Sequence, residues 1–197
     1  SSLLPALDIT AEQELSASGS ASLNIADGAV VAVVGSLTLD IATTDIDTGN
    51  AVLGTLTDAR VLAFTVSGAS LFVGQGGELS ADRSTAGPGA DAVGFSATGA
   101  TFSLASVTAS DGTTSFTGAQ VSLANAALVG VDAVDLQLSG SFKLNSTSVV
   151  GGERIDWATA ATDPASSLLP SLDITSAQQL SASGSASLNI ADGAVVA

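Results

Sequence analysis

The alternation of apolar and polar positions reads as a series of β-strands. Leu15, Ala17, Gly19, Ala21, Leu23 and Ile25 share one parity, while Ser16, Ser18, Ser20, Ser22 and Asn24 hold the other. A period of two puts these sets on opposite faces of a strand. After Ala26, Asp27 and Gly28 the alternation resumes over 29–41, with Val31, Val33, Gly35, Leu37, Leu39 and Ile41 in phase. A two-residue turn would set an apolar face against a polar one, so a three-residue loop with Gly28 in the left-handed position is expected. In that register Ile25 opposes Ala29, Leu23 opposes Val31 and Gly19 opposes Gly35. The cross-strand glycine pair reads as a bend or as the close approach of another layer.

Further strands are predicted over 61–73, 93–107, 113–124 and 131–144, with a hairpin turn at 110–113. Phe64 and Val66 precede Gly68 on one parity, whereas Leu71 and Val73 follow it on the other, a slip that predicts a β-bulge. Glycines between small or polar residues recur at Gly19, Gly35, Gly68, Gly99, Gly118, Gly140 and Gly184, at spacings too unequal for a rung period. Segments 42–50, 80–92 and 145–167 read as loops, and 10–13 and 163–169 as short helical turns. The expected fold class is all-β, an elongated antiparallel, hairpin-rich tandem β-repeat, with a β-solenoid as the alternative.

Duplication sets the domain organisation. Residues 1–32 and 166–197 agree at 28 of 32 positions, and the four differences, Ala6/Ser171, Ala11/Ser176, Glu12/Ala177 and Glu14/Gln179, all precede Leu15 and its counterpart. An offset of 165 residues is far longer than the roughly 20–50 residues of simple solenoid repeats, so each unit is expected to hold several strands and a core. Residues 1–165 are taken as one full repeat and 166–197 as the start of the next copy, a window onto a longer tandem array. The lone Trp157, near the repeat boundary, reads as a packing anchor between successive units.

Composition narrows the chemistry. The chain is 46% hydrophobic and 12% charged, too apolar for disorder. Nineteen acidic against four basic residues give a net charge of −15, which repels nucleic-acid phosphates and anionic membranes. No apolar run approaches the roughly 18 residues of a membrane helix. His, Cys, Met and Tyr are absent, which removes the usual general base, the thiol nucleophile and most transition-metal ligands. Lys143 is left as the one base candidate for an abundant but unactivated set of serines, so no enzyme activity is expected. The best chemical candidate is a calcium loop at Asp45, Asp47 and Asn50, which spell DxDxGN with Gly49, because alternate carboxylates and a turn-permitting glycine suit a hard cation. A weaker echo of a glycine-rich calcium repeat lies at Gly74, Gly76 and Gly77 before Glu78 and Asp82.

The strings SGSASLNIADGAVVAVVGSLTLDI (18–41), VSGASLFVG (66–74), NAALVGVDAVDLQLSGSFKLN (125–145) and IDW (155–157) resemble the giant extracellular β-strand-repeat proteins of aquatic bacteria. That resemblance covers most of the repeat. It implies a secreted or cell-surface location, partners that are neighbouring copies of the repeat or other identical chains, and a structural role in a filament or adhesin stalk. It brings no catalytic residues. The alternative function is a repeated binding module for a glycan or mineral surface.

Overall fold

A computed structural model of the chain describes residues 12–163, 168–190 and 195–196. Among them every regular element is a β-strand: β1 (Gln13–Ile25), β2 (Val30–Asp47), β3 (Thr55–Leu79), β4 (Ala86–Thr108), β5 (Ser115–Val129), β6 (Val134–Thr147), β7 (Ala161–Asp163), β8 (Leu180–Ile190) and β9 (Val195–Val196). All pairings are antiparallel and form one open sheet in the order β1-β2-β3-β4-β5-β6-β8-β9, with β7 continuing the line of β1 along β2. The all-β, antiparallel, hairpin-rich expectation holds. Neither short helical turn forms where it is described: Gln13 opens β1 and Asp163 ends β7, while residues 10, 11 and 164–167 lie outside the described residues.

The strands run longer than their alternation suggested. Residues 42–47, read as loop, complete β2, and 86–92 begin β4. Residues 148–160 do form the expected irregular stretch.

The first hairpin forms, but one residue out of the expected register. Ile25 pairs with Val30, Leu23 with Ala32 and Gly19 with Leu37, around a four-residue loop at 26–29. Ala26 and Asp27 are left-handed (φ 51° each) along with Gly28 (φ 93°), and the Asn24 side chain accepts a hydrogen bond from the Gly28 amide at 3.0 Å. Gly19 and Gly35 therefore do not face each other. The cause lies in Val30–Val34, which is apolar at both parities: Val31 and Val33 are buried beside Phe72, while Val30, Ala32 and Val34 take the face of Leu23. An extra residue near Gly35 then returns Leu37, Leu39 and Ile41 to that same face.

That slip is one of a line of bulges. Register shifts interrupt the ladders near Gly68 and Gly99, both left-handed (φ 62° and 66°), and between Leu123 and Ala126. The irregularity crosses β2 to β5 at one level and is absent from the β6–β8 ladder. Each bulge absorbs one residue, so the sheet keeps one apolar side above and below the seam.

One face of the sheet is covered at both ends by the chain itself. At one end the described parts of 148–179 cross over and seat Ile155, Trp157, Leu172 and Ile174 against Ile46, Val61, Val107 and Phe116. At the other the β3–β4 hairpin tip folds back, bringing Ala86 and Ala92 onto Val31, Val33 and Phe72. Burial of Phe72 and Phe116 contributes roughly 2–3 kcal/mol each.

A buried asparagine holds the crossover down. Asn145 of β6, fully inaccessible, donates through Nδ2 to the carbonyls of Ile155 (2.9 Å) and Thr175 (3.1 Å), and its Oδ1 accepts the indole N–H of Trp157 at 3.0 Å. Gly118 leaves the space for that indole, since a Cβ there would lie 2.6 Å from Trp157 Cε2. Replacing Asn145 with Ala strands one buried donor and two acceptors, and it should destabilise the chain by about 3 kcal/mol or more. Asn145→Asp should be nearly as damaging, because a carboxylate keeps the acceptor and loses both donors. Urea unfolding followed through Trp157 fluorescence measures both.

Candidate functional site: the edges and the open face

The sheet offers two surfaces with unspent bonding capacity, the edge of β1 and the uncovered face. Both arise from the serine–apolar alternation. Because β1 carries its serines on the covered side, Leu15, Ala17, Leu23 and Ile25 point to the other side.

The duplicated sequence occupies two environments. In the second copy, β8 pairs with β6 through eleven rungs without a register shift, from Val134↔Ile190 through Gly140↔Gly184 to Leu144↔Leu180. Its other edge meets β9 as Ile190↔Val195 and Asn189↔Val196. Each is the first hairpin's Ile25↔Val30 and Asn24↔Val31 moved by 165 residues, so the two copies share one turn register. Ser139 and Ser185 hydroxyls bond across the β6–β8 seam at 2.8 Å, and Ser141 and Ser183 at 2.9 Å. The first copy, β1, pairs with β2 alone along these residues, and among the described residues no strand lies on its outer edge. The steric consequence is asymmetric. A Cβ on Gly184 would sit 2.7 Å from the Ser139 carbonyl, whereas one on Gly19 would meet nothing within 4 Å.

The second copy also enters the first unit's core. Leu172 and Ile174 lie in the same cluster as Trp157, and Leu172 sits with the indole over Gly118. Lys143 donates to the Asp173 carboxylate at 2.7 Å and to the Asp173 carbonyl at 2.6 Å. The one base candidate is thus an ion-paired strut that ties the crossover to β6.

The uncovered face runs across all the long strands. Ala17, Leu39, Phe64, Leu104, Ala119 and Leu144 form one continuous row of paired residues below the seam, and Leu23, Ala32, Leu71 and Ala97 another above it. Phe64 and Phe102 pack at 6.0 Å between ring centroids, tilted by 58°. Leu180 is 63% exposed, and Leu23, Ile25, Val73 and Phe142 lie between 42% and 50%. Among the described residues the only ion pair on this face, Arg60 with Glu14 at 3.3 Å, stands at its lower rim.

The calcium candidates are engaged separately. The Asp45 carboxylate accepts the Asp58 amide (2.9 Å), and that of Asp47 accepts the Gly49 amide (3.0 Å). Asn50 accepts the Val52 amide (2.9 Å) and donates to the Arg154 carbonyl (2.9 Å) and the Glu153 carboxylate (3.0 Å). Asn50 thus braces the crossover against the β2–β3 turn. Among the described residues no three acidic side chains gather as metal ligands. Asn50→Ala should lower the melting temperature by the same few degrees with calcium as with a chelator, since the lost bonds are internal.

Two hairpin turns carry carboxylates of unusual acidity. The Asp111 carboxylate accepts the amides of Thr113 and Thr114 (2.8 Å each) and the Thr114 hydroxyl (2.7 Å). At the equivalent place in the other turn, Asp82 accepts the hydroxyls of Ser80 (2.7 Å) and Ser84 (2.8 Å) and the Ser84 amide (3.1 Å). These bonds favour the charged form: the Thr114 and Thr113 amides pull Asp111 from 3.8 to about 2, and the Ser80 and Ser84 hydroxyls do the same for Asp82. The sequence marked the first turn through its Ser-Asp-Gly-Thr pattern. The second, with Arg83 left-handed (φ 57°) where the first has Gly112 (φ 69°), lacked the glycine that signals it. A depressed carboxylate stabilises the fold fully above its unfolded pKa, and that stability is lost as pH falls through the folded one. Between pH 4 and 2 the chain should therefore lose stability, and Asp111→Asn should show a shallower loss over that interval in melting curves.

No family model, no curated protein and no solved structure matches this chain. The fold and the surfaces together define an all-β protein with an open antiparallel sheet, one self-covered face and one bare apolar face.

Proposed function

We propose that this chain is a structural repeat of a long extracellular or cell-surface filament or adhesin stalk, in which one sheet passes unbroken from copy to copy. The carrying observation is the second copy of the β1 sequence lying on β6 through eleven unshifted rungs. Reading that joint back onto the first copy, β6 of a preceding repeat seats on the free edge of β1 with Gly140 opposite Gly19. A covered edge also removes the liability of an exposed strand.

The turns and rims carry the acidic charge, which keeps neighbouring filaments apart in solution. The extracellular setting draws on the family resemblance of the sequence. The repeated binding module is the weaker reading here, because no aromatic cluster lies on the exposed loops; the single Trp is buried.

Six strand spacings separate β1 from β8, so each added repeat should lengthen the ribbon by about 29 Å along the sheet, at ~4.8 Å per strand. Small-angle scattering from chains of one, two and four repeats measures this; a radius of gyration growing as the cube root of mass overturns it. The glycines give a sharper test. In the chain as it stands, Gly19→Val should leave the melting temperature within about 1 °C, as expected for a surface change with room for the side chain, while Gly184→Val should strip hydrogen-exchange protection from β8. Once a full copy precedes Ser1, Gly19→Val should strip protection from β1 as well. An unchanged pattern in that longer chain means that the sheet does not continue through the joint.

A further inference from the structure

We propose that the bare apolar face is the docking surface for the same face of a second copy, so that the filament is a pair of sheets packed back to back. This rests on the tandem reading only for its extent along the filament; the face itself belongs to each repeat.

Four observations carry it. The first is area. The apolar face spans the eleven residues from Leu15 to Ile25 and six strand spacings per repeat, a footprint of about 1,000 Å² at ~3.3 Å per residue and ~4.8 Å per strand. That exceeds the roughly 800 Å² per partner of a standard stable interface, and it is about two to three times the largest apolar patch of a typical monomer.

The second is charge. Although the chain carries a net −15, among the described residues the interior of this face holds no charged side chain, and the Arg60–Glu14 pair at its rim is already neutralised within the copy. Among the described acidic residues, Asp82 and Asp111 sit in turns, and Asp135 and Asp173 lie on the covered side. Two copies can therefore meet without bringing carboxylates together, which would otherwise oppose self-association of so acidic a chain.

The third is the fate of the opposite face. The chain covers that face with two of its own segments, the crossover and the β3–β4 tip, and between them leaves a hydroxyl strip with Ser139, Ser141, Ser183 and Ser185 bonded to one another. Among the described residues no segment crosses the apolar face. A second copy supplies the cover that none of these residues provides.

The fourth is continuity and shape. Leu180, Ala182, Gly184, Ala186, Leu188 and Ile190 extend the face through the β6–β8 joint in the same phase, so an apolar band runs the length of an array, and a second identical band matches it repeat for repeat. Gly140 lines a shallow trough of about 290 Å³ with Leu123 and Leu138 beside Phe142, which stands 42% exposed. A two-fold axis over β6 would set each Phe142 into the other copy's trough, the self-complementarity that an isologous interface requires. Sheets packed this way lie about 10 Å apart with their strands within about 30° of alignment.

Sedimentation of the full chain tests the proposal. At micromolar concentration the chain should run as a dimer. Val66→Glu with Val121→Glu, both on the bare face, should raise the dimer dissociation constant by at least a hundredfold. Thr65→Glu with Ser122→Glu, their neighbours on the hydroxyl strip, adds the same charge to the same strands and should leave dimerisation unchanged. Should the bare-face variant fail to fold, Phe142→Cys supplies a second readout, because the native chain contains no cysteine: oxidation should cross-link dimers through that position, and Ser141→Cys should not. A monomer at 100 µM overturns the proposal, as does equal dimerisation of both charge variants. Binding of the native chain to neutral phosphatidylcholine vesicles without self-association overturns it too, and assigns the face to a lipid surface. The tandem reading fails separately. If rods lengthen with repeat number but hold one chain per cross-section by mass-per-length imaging, the continuous sheet stands and the paired sheet does not.

Discussion

The buried bond between the Trp157 indole and the Asn145 amide is the point on which the architecture turns. An open sheet without helices has nothing to cover its core unless the chain returns over it, and here the return is the crossover that Asn145 clamps. The same residue starts the next event, since its backbone amide donates to the Gln179 carbonyl at 2.9 Å, one residue before β8 joins β6. A single residue therefore links three things: the burial of Ile155 and Trp157, the seating of Leu172 and Ile174 from the second copy, and the register of the inter-repeat ladder. Its burial is affordable because each of its polar atoms has a partner.

The core consequently ignores the boundary of the sequence repeat. Residues 166–197 begin a new copy by sequence, yet 168–179 complete the hydrophobic cluster of the preceding one. Repeat proteins in general derive stability from interfaces between neighbours. In this chain the interface has two components, a packed cluster on the covered face and a backbone ladder along the edge, and both depend on the stretch between Ser148 and Leu180.

The bulge line has a different physical role. Strands as long as the 25 residues of β3 would place their apolar parity on one face throughout if they were regular. Inserting one residue at the same level in several strands lets the upper and lower halves draw on opposite parities of the sequence while presenting the same sides. The two covered clusters and the bare face each stay continuous as a result. β6 and β8 need no such correction, because their alternation is unbroken from Val134 to Leu144 and from Leu180 to Ile190.

The sequence by itself determined the central parts of the long strands, the pairing of the first two in a hairpin, the bulge at Gly68, the turn at Asp111 and the existence of a second copy. These follow from local signals: period-two alternation, glycine at a phase slip, an Asx-type turn, and outright identity. It misplaced the first register by one residue, because Val30–Val34 is apolar at both parities and only Phe72, forty residues on, decides which valines turn inward. Spacing alone could not show that the oxygens of Asp45, Asp47 and Asn50 accept the Asp58, Gly49 and Val52 amides. Alternation also could not say which face would be covered. The covers come from a crossover and a hairpin tip that carry little alternation of their own, and they settle on the side holding the serines of β1 and β8. Which surfaces remain open for a partner is thus a property of long-range packing, decided only when Trp157 finds Asn145 and Ala86 and Ala92 find Phe72.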